Sequence, residues 1–212
     1  MDASAIKKIN QQLKDQPPSV IIAWALSLQK KTIMTTSFGF YSAVSLHALV
    51  NVDGGQNTPV IWVDSGYNLR DTYKVAEEIT QSLNLNLQVF NPVMSAERRA
   101  AVMGGVPSQD EPAFELFVEQ VKIEPFKRAL ATFNPSVWLS GIRQEETEHR
   151  KQLDIVVLDE QGILKVSPLF YWNEQNLADY LQQHQLPNCK HYFDPTKKRD
   201  NMECGLHTFQ AR

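Results

Sequence analysis

The chain has 212 residues, 42% hydrophobic and 21% charged, with 9 Gly and 11 Pro, the make-up of one globular domain rather than a fibre or a disordered tail. Lys plus Arg (21) against Asp plus Glu (24) leaves a formal charge of −3, so no general basic excess draws it to nucleic acid or an anionic membrane, and any anion site has to be local. The start, MDASAIKKIN, lacks a signal peptide's apolar core and no apolar run approaches the roughly 20 residues of a membrane span; a cytoplasmic protein with no membrane or nucleic-acid partner is expected.

Pro17-Pro18 separates a short polar segment from an apolar, helix-compatible stretch, Val20 to Leu28, and residues 1–30 read as a helical preamble. Thr32 to Thr36 is a β-branched run that breaks at Ser37-Phe38-Gly39, and the pattern of Val44, Leu46, His47, Leu49 and Val50 after it is helical. The cycle repeats with a strand over Pro59–Val63, a turn at Asp64-Ser65-Gly66, a helix over Leu69–Leu83 and a strand over Leu85–Phe90. Helices around Phe114–Val121 and Pro125–Phe133 precede a strand at Val137–Leu139 that ends at Ser140-Gly141. Ile155–Leu158 and Leu164–Val166 read as a hairpin through Asp159-Glu160-Gln161-Gly162, and a helix over Glu174–Gln183 follows. Strands alternating with helices predict an α/β fold with a doubly wound, mostly parallel sheet. Residues 1–186 are expected to form that domain, and residues 187–212, rich in Lys, Asp, Asn and Pro, an extended or mobile polar tail.

In such a sheet ligands bind at the carboxyl ends of the strands, which directs attention to three loops. Ser37-Phe38-Gly39-Phe40-Tyr41-Ser42 joins a strand to a helix, where free N–H groups, hydroxyls and a glycine suit a phosphate or sulfate; a plain helix cap is the alternative. Asp64-Ser65-Gly66 offers an acidic side chain to a ribose or base, or is only a turn. Ser140-Gly141-Ile142-Arg143, with Arg150, supplies two guanidiniums suited to bidentate oxyanion binding, unless these arginines simply line a surface.

The two cysteines, Cys189 and Cys204, cannot build a disulfide framework or supply the four thiolates that usually hold an iron–sulfur cluster. Cys204 lies in Glu203-Cys204-Gly205-Leu206-His207, near Lys197, Lys198, Arg199 and His207, and neighbouring positive charge raises the thiolate fraction that a nucleophile needs. Cys189, His191, Cys204 and His207 are also the ligand types of a tetrahedral zinc site, although the single residue between Cys189 and His191 fits the usual spacing poorly. A Cys189–Cys204 redox disulfide is a third reading that geometry has to decide.

Taken together, Ser37-Phe38-Gly39, Asp64-Ser65-Gly66-Tyr67, Lys122-Ile123-Glu124-Pro125, Trp138-Leu139-Ser140-Gly141-Ile142-Arg143, Lys165-Val166-Ser167-Pro168 and the Glu-Cys-Gly-Leu-His ending occur in an order that resembles the phosphoadenylyl-sulfate (PAPS) reductases. The resemblance implies an adenine-nucleotide-hydrolase-like fold and a two-step reduction of PAPS to sulfite and adenosine 3′,5′-bisphosphate. In that scheme Cys204 becomes an S-sulfonate, which reduced thioredoxin or glutaredoxin cleaves, with His207 beside the nucleophile. It further implies that Ser37, Phe38, Gly39 and Ser42 form the phosphate loop, that Asp64, Gly66 and Gly141 line the nucleotide cleft, and that Lys122, Arg143 and Arg150 hold the phosphosulfate. No metal, cluster or tightly bound cofactor is expected, and a homodimer is compatible with the resemblance. Two departures stand out: Gln144 follows Arg143 where the family commonly has a second arginine, and the stretch between His184 and Cys204 is short. These keep in view a cluster-free adenylyl-sulfate reductase or a divergent sulfur transferase, and, from a different class, a zinc- and nucleotide-binding regulatory protein.

Overall fold

The β-branched run Thr32–Thr36 forms β1, near the middle of a six-stranded sheet, in a computed structural model that describes residues 1–197. The other strands are β2 (Val60–Val63), β3 (Leu87–Phe90), β4 (Val137–Leu139), β5 (Val156–Leu158) and β6 (Leu164–Val166). Their order is β3-β2-β1-β4-β6-β5, parallel throughout except for the antiparallel edge pair β5 and β6. From β1 the chain winds outward through β2 and β3, then returns to lay β4 against the other side of β1. The direction of winding therefore reverses between β1 and β4, and loops leaving their carboxyl ends diverge to open a crevice.

Alternation along the strands divides the core. Met34 of β1 is paired with Val60 and Leu139, and all three face one apolar layer with Leu46, Leu49 and Phe170. Ile33, Ile61 and Trp138 point the other way, onto Phe126 and Ala129. Successive strand residues burying opposite faces is what a sheet covered by helices on both sides requires.

The helices are α1 (Ala3–Leu13), α2 (Pro18–Ser27), α3 (Ser42–Val50), α4 (Arg70–Ser82), α5 (Ala96–Met103), α6 (Ala113–Val118), α7 (Glu124–Phe133) and α8 (Glu174–His184). The expected strands and helices are all present, with ends shifted by a residue or two. The helical preamble expected over residues 1–30 is two helices, and the first, α1, is capped by Asp2 and tied to the sheet edge: Asn10 donates to the Val156 carbonyl (2.9 Å) and accepts from its N–H (2.8 Å), acting as one rung of an absent strand. Two features differ. Helix α5 has no counterpart among the expected elements. The two expected helices α6 and α7 are continuous through a widened π turn at Glu119–Ile123; Pro125 has no N–H to give the Val121 carbonyl, and the wider turn lies just ahead of it.

The described part of the tail, from Pro187 to residue 197, has no regular secondary structure but is packed. Cys189 is 2% exposed, its thiol donating to the His191 carbonyl (2.9 Å) beside the Thr72 hydroxyl (3.6 Å). The segment has no apolar periodicity because the rest of the fold, not its own backbone, orders it. Helices α3 and α8 meet through His47, whose Nδ1 lies 2.9 Å from the Tyr180 hydroxyl and whose ring is 4.6 Å from that of His184. No described helix is long and apolar enough to cross a membrane.

Candidate functional site

The loop after β1 is held in an unusual shape by its own side chains. Thr36 Oγ1 accepts from the Phe38 N–H (3.2 Å) and Ser37 Oγ from the Gly39 N–H (3.4 Å). Phe38 and Tyr41 both adopt left-handed backbone (φ 50° and 61°), conformations that cost non-glycine residues energy and tend to be kept at functional sites. The Phe38 ring is wholly buried, edge-on to Trp62 at 5.0 Å, so it anchors the loop from beneath. Ser42 then opens α3 at the positive end of the helix dipole; its N–H is bonded to the Gly39 carbonyl (3.2 Å) and that of Val44 to the Tyr41 carbonyl (3.0 Å), so the free N–H groups expected of this loop are in part already paired.

The loop after β2 is organised by Asp64. Its Oδ1 accepts from the Gly66 N–H (3.0 Å), Asn68 Nδ2 (2.8 Å) and the Tyr73 hydroxyl (2.8 Å). Burial first, and then this carboxylate, push the Tyr73 hydroxyl up to about 12. Gly66 has φ 81°, and a β-carbon there would come within 3.3 Å of the Ala96 side chain, so α5 packs directly on this turn. Asp64 and Gly66 thus shape the loop, whereas Ser65 and Asn68 line the cavity described below.

Lys122 projects from the π turn. Its ammonium is bonded to Asp194 and lies 3.0 Å from Thr196 Oγ1, and the lysine and aspartate side chains are 12% and 8% exposed. Burial alone would raise the Asp194 carboxyl. The adjacent Lys122 charge and the bonds from Lys122 and Thr196 outweigh it and hold the group below its ordinary range. The loop after β4 runs close to α3, where a β-carbon on Gly141 would meet Ser45 Oγ at 3.4 Å. Beyond it Arg143 and Arg150, both buried, are drawn together by a shared carboxylate: Glu146 bonds Arg150 and lies 3.6 Å from Arg143 Nη2, while Glu145 also bonds Arg143.

A cavity of about 50 Å³ lies at the carboxyl ends of β1 and β2, between Thr36 and Ser37, Trp62, Asn68, Lys122 and the Tyr192–Pro195 stretch. A larger one, about 590 Å³, opens at the opposite ends of these strands, between Lys30 and Asp53–Pro59. The smaller cavity has the convergent hydroxyl, amide and ammonium groups and occupies the end of the sheet where open α/β folds bind ligands. Of the expected site residues, Ser37 and Lys122 line it; Phe38, Gly39 and Ser42 build the adjoining loop, and Arg143, Arg150 and Gly141 belong to the neighbouring β4 loop. Cys204 and His207, with Lys198 and Arg199, lie outside the described residues, as do two of the four candidate zinc ligands. Trp62, Asn68 and Asp194 are site residues that the sequence reading missed. Asp194-Pro195-Thr196 does carry a turn signature, but nothing in it announces a partner 72 residues away.

Residues 31–195 match the model of the phosphoadenosine phosphosulfate reductase domain. The chain is 36% identical over 185 residues to a phosphoadenosine 5′-phosphosulfate reductase of Synechococcus, covering 86% of this chain and 78% of that one. It is 35% identical over 183 residues to the protein of that name from Citrobacter koseri, covering 86% and 74%. Among solved structures, the phosphoadenylyl-sulfate reductase of Candida auris in a phosphate complex superposes with a TM-score of 0.78 over 90% of each chain at 23% identity, a likeness of fold.

Proposed function

The chain belongs to the phosphoadenosine phosphosulfate reductase family, and from that premise we propose that it reduces PAPS to sulfite and adenosine 3′,5′-bisphosphate. One structural observation carries the reading: the Ser37 loop and Lys122 face one cavity at the carboxyl ends of the strands beside the sheet's switch point. In the proposed reaction the nucleotide's phosphates lie against the Ser37–Ser42 loop and the start of α3, and Lys122, Arg143 and Arg150 hold the phosphosulfate. Asp64 and Gly66 shape one wall, and Gly141 lets the β4 loop approach.

The Cys204 thiolate attacks the sulfate sulfur. A sulfur–sulfur bond forms, the bond from sulfur to the bridging oxygen breaks, and its electrons leave on the phosphate of adenosine 3′,5′-bisphosphate. Two anions have to meet for this, so fixed cations serve twice: they offset the repulsion on approach and stabilise the charge gathering on the departing phosphate. His207 stays beside the nucleophile. A thiolate of reduced thioredoxin, or of glutaredoxin, then attacks Cys204 Sγ; sulfite departs with the electron pair of the broken sulfur–sulfur bond, and the donor's second thiol resolves the mixed disulfide. No cluster takes part, in keeping with a chain that has only two cysteines.

The test is sulfite release from PAPS with reduced thioredoxin, together with the intact mass after exposure to PAPS alone. A sulfonate on Cys204 and no turnover in Cys204→Ser are expected; full turnover in that variant would refute the mechanism. Gln144, standing where a second arginine is usual, motivates a comparison with adenylyl sulfate, and faster turnover of that nucleotide would reassign the substrate.

A further inference from the structure

Residues 188–197 form a strap across the cavity. Near its start Asn188 Oδ1 accepts from the Tyr41 N–H (2.9 Å), at the mouth of the phosphate loop, and Asp71 accepts from the Lys190 N–H (3.0 Å). In its middle the Tyr192 ring lies so flat on Gly39 that a β-carbon there would be 3.0 Å from it. Near its end Thr196 presents Asp194: the Thr196 N–H (3.0 Å) and hydroxyl (2.6 Å) both donate to Asp194 Oδ1, leaving Oδ2 to bond Lys122. The strap thus places a carbonyl-type oxygen on a loop N–H and a carboxylate on the site lysine, the two kinds of group an anionic ligand would engage.

Volume makes this arrangement consequential. The cavity is about 50 Å³, whereas small-molecule sites occupy on the order of 300–1,000 Å³, and Tyr192, Asp194 and Pro195 form its outer wall. An adenine nucleotide needs more room than this, and moving the strap would open it. A buried ammonium is costly to leave unpaired, so a ligand oxyanion that replaces Asp194 on Lys122 keeps the lysine paired while the strap departs. Were Asp194 to remain, its charge would face the ligand's own.

We propose that Asp194 is a counter-anion displaced from Lys122 by the substrate, so that it sets substrate affinity and couples binding to release of the strap. This rests on the assignment of Lys122 to the phosphosulfate. Cys204 lies ten residues beyond Asp194, so the segment the substrate moves is the one joined to the proposed nucleophile.

The experiment is calorimetric binding of PAPS to the full-length chain in a Cys204→Ser background, which prevents turnover. Adding Asp194→Asn keeps the shape of the side chain, removes its charge, and is expected to tighten binding about tenfold, the order set by a charge-assisted hydrogen bond that no longer has to be broken. Unchanged or weaker binding would overturn the proposal. Lys122→Met in the same background separates the two layers: if it leaves affinity unchanged, the assignment of Lys122 itself fails, whereas if it weakens binding while Asp194→Asn does not tighten it, only the displacement fails. Should Asp194→Asn lose its cooperative melt, Thr196→Ala, which releases the grip on the carboxylate, decides instead: a few-fold tightening supports displacement, and no change or weakening overturns it.

Discussion

Replacing Phe38 separates two energies that the loop after β1 combines. The ring is fully buried against Trp62 and the backbone is left-handed, with φ at 50°. Truncation to alanine loses the ring's burial and leaves a void, at a cost of about 3–5 kcal/mol, a large part of the roughly 5–15 kcal/mol that holds a domain folded. Glycine creates the same void. At an ordinary position it is a further ~0.5–1 kcal/mol worse than alanine, because its unfolded chain is freer. Here alanine retains the left-handed penalty of about 1–2 kcal/mol and glycine escapes it. The usual order should therefore invert, with Phe38→Gly more stable than Phe38→Ala by about 0.5–1 kcal/mol. Urea unfolding followed by tryptophan fluorescence measures the difference, with Trp62 reporting from beside the lesion. If alanine is the more stable by the customary margin, the loop relaxes freely when the ring is gone and its shape is not stored in the backbone.

Three further outcomes are expected. Asn10→Ala leaves both backbone groups of Val156 unpaired in a buried place and should cost about 2 kcal/mol by urea unfolding; a loss within error would mean that water takes over the pairing. Burial, and then the neighbouring His184, hold His47 below its ordinary 6.5. The folded state therefore resists a proton that the unfolded chain accepts, and stability is whole above that value and falls as pH drops through it toward the folded value. Melting points between roughly pH 7.5 and 5.5 should fall in the parent and fall less in His47→Gln, and parallel curves would remove His47 from the account. Lys122→Met should blunt a pH dependence: in the parent the lowered Asp194 carboxyl contributes stability above its ordinary 3.8 that is lost as pH falls through the folded value. In the variant burial is opposed only by the two bonds from Thr196, so the stability lost as pH falls from about 5 to 3 should be smaller than in the parent, and parallel melting-point curves would remove the Lys122–Asp194 pair from the account.

What the sequence disclosed and what it concealed follow from the range of the interactions concerned. Strands β1, β2 and β4 are short β-branched or apolar runs closed by Ser-Phe-Gly, Asp-Ser-Gly and Ser-Gly, so their existence, their parallel direction and the three loops at their carboxyl ends are readable from local pattern, though not their order in the sheet. Helix α5 was not, because its one buried side chain is an arginine: Arg99 is 3% exposed, bonded to the Gly105 carbonyl (2.7 Å) and Gln120 (3.3 Å) and set over the Phe117 ring at 4.7 Å. A hydrophobic-periodicity argument counts that residue on the wrong face.

The three proposed substrate-binding cations show the same division more sharply. Lys122, Arg143 and Arg150 were legible as cations, and a chain of charge −3 was known to need them locally. Their carboxylate partners decide how available that charge is. For the arginines the partners are close in sequence, Glu145 and Glu146, and are 46% and 37% exposed against 9% and 8% for the arginines. A pair with one member in water is weak and readily exchanged. For Lys122 the partner is Asp194, distant in sequence and as buried as the lysine, so exchange there requires moving the backbone that carries the aspartate. Counting charges along the chain treats the three cations alike; burial of the carboxylate separates Arg143 and Arg150, paired with half-exposed glutamates, from Lys122, whose aspartate the proposed substrate would displace only together with the strap.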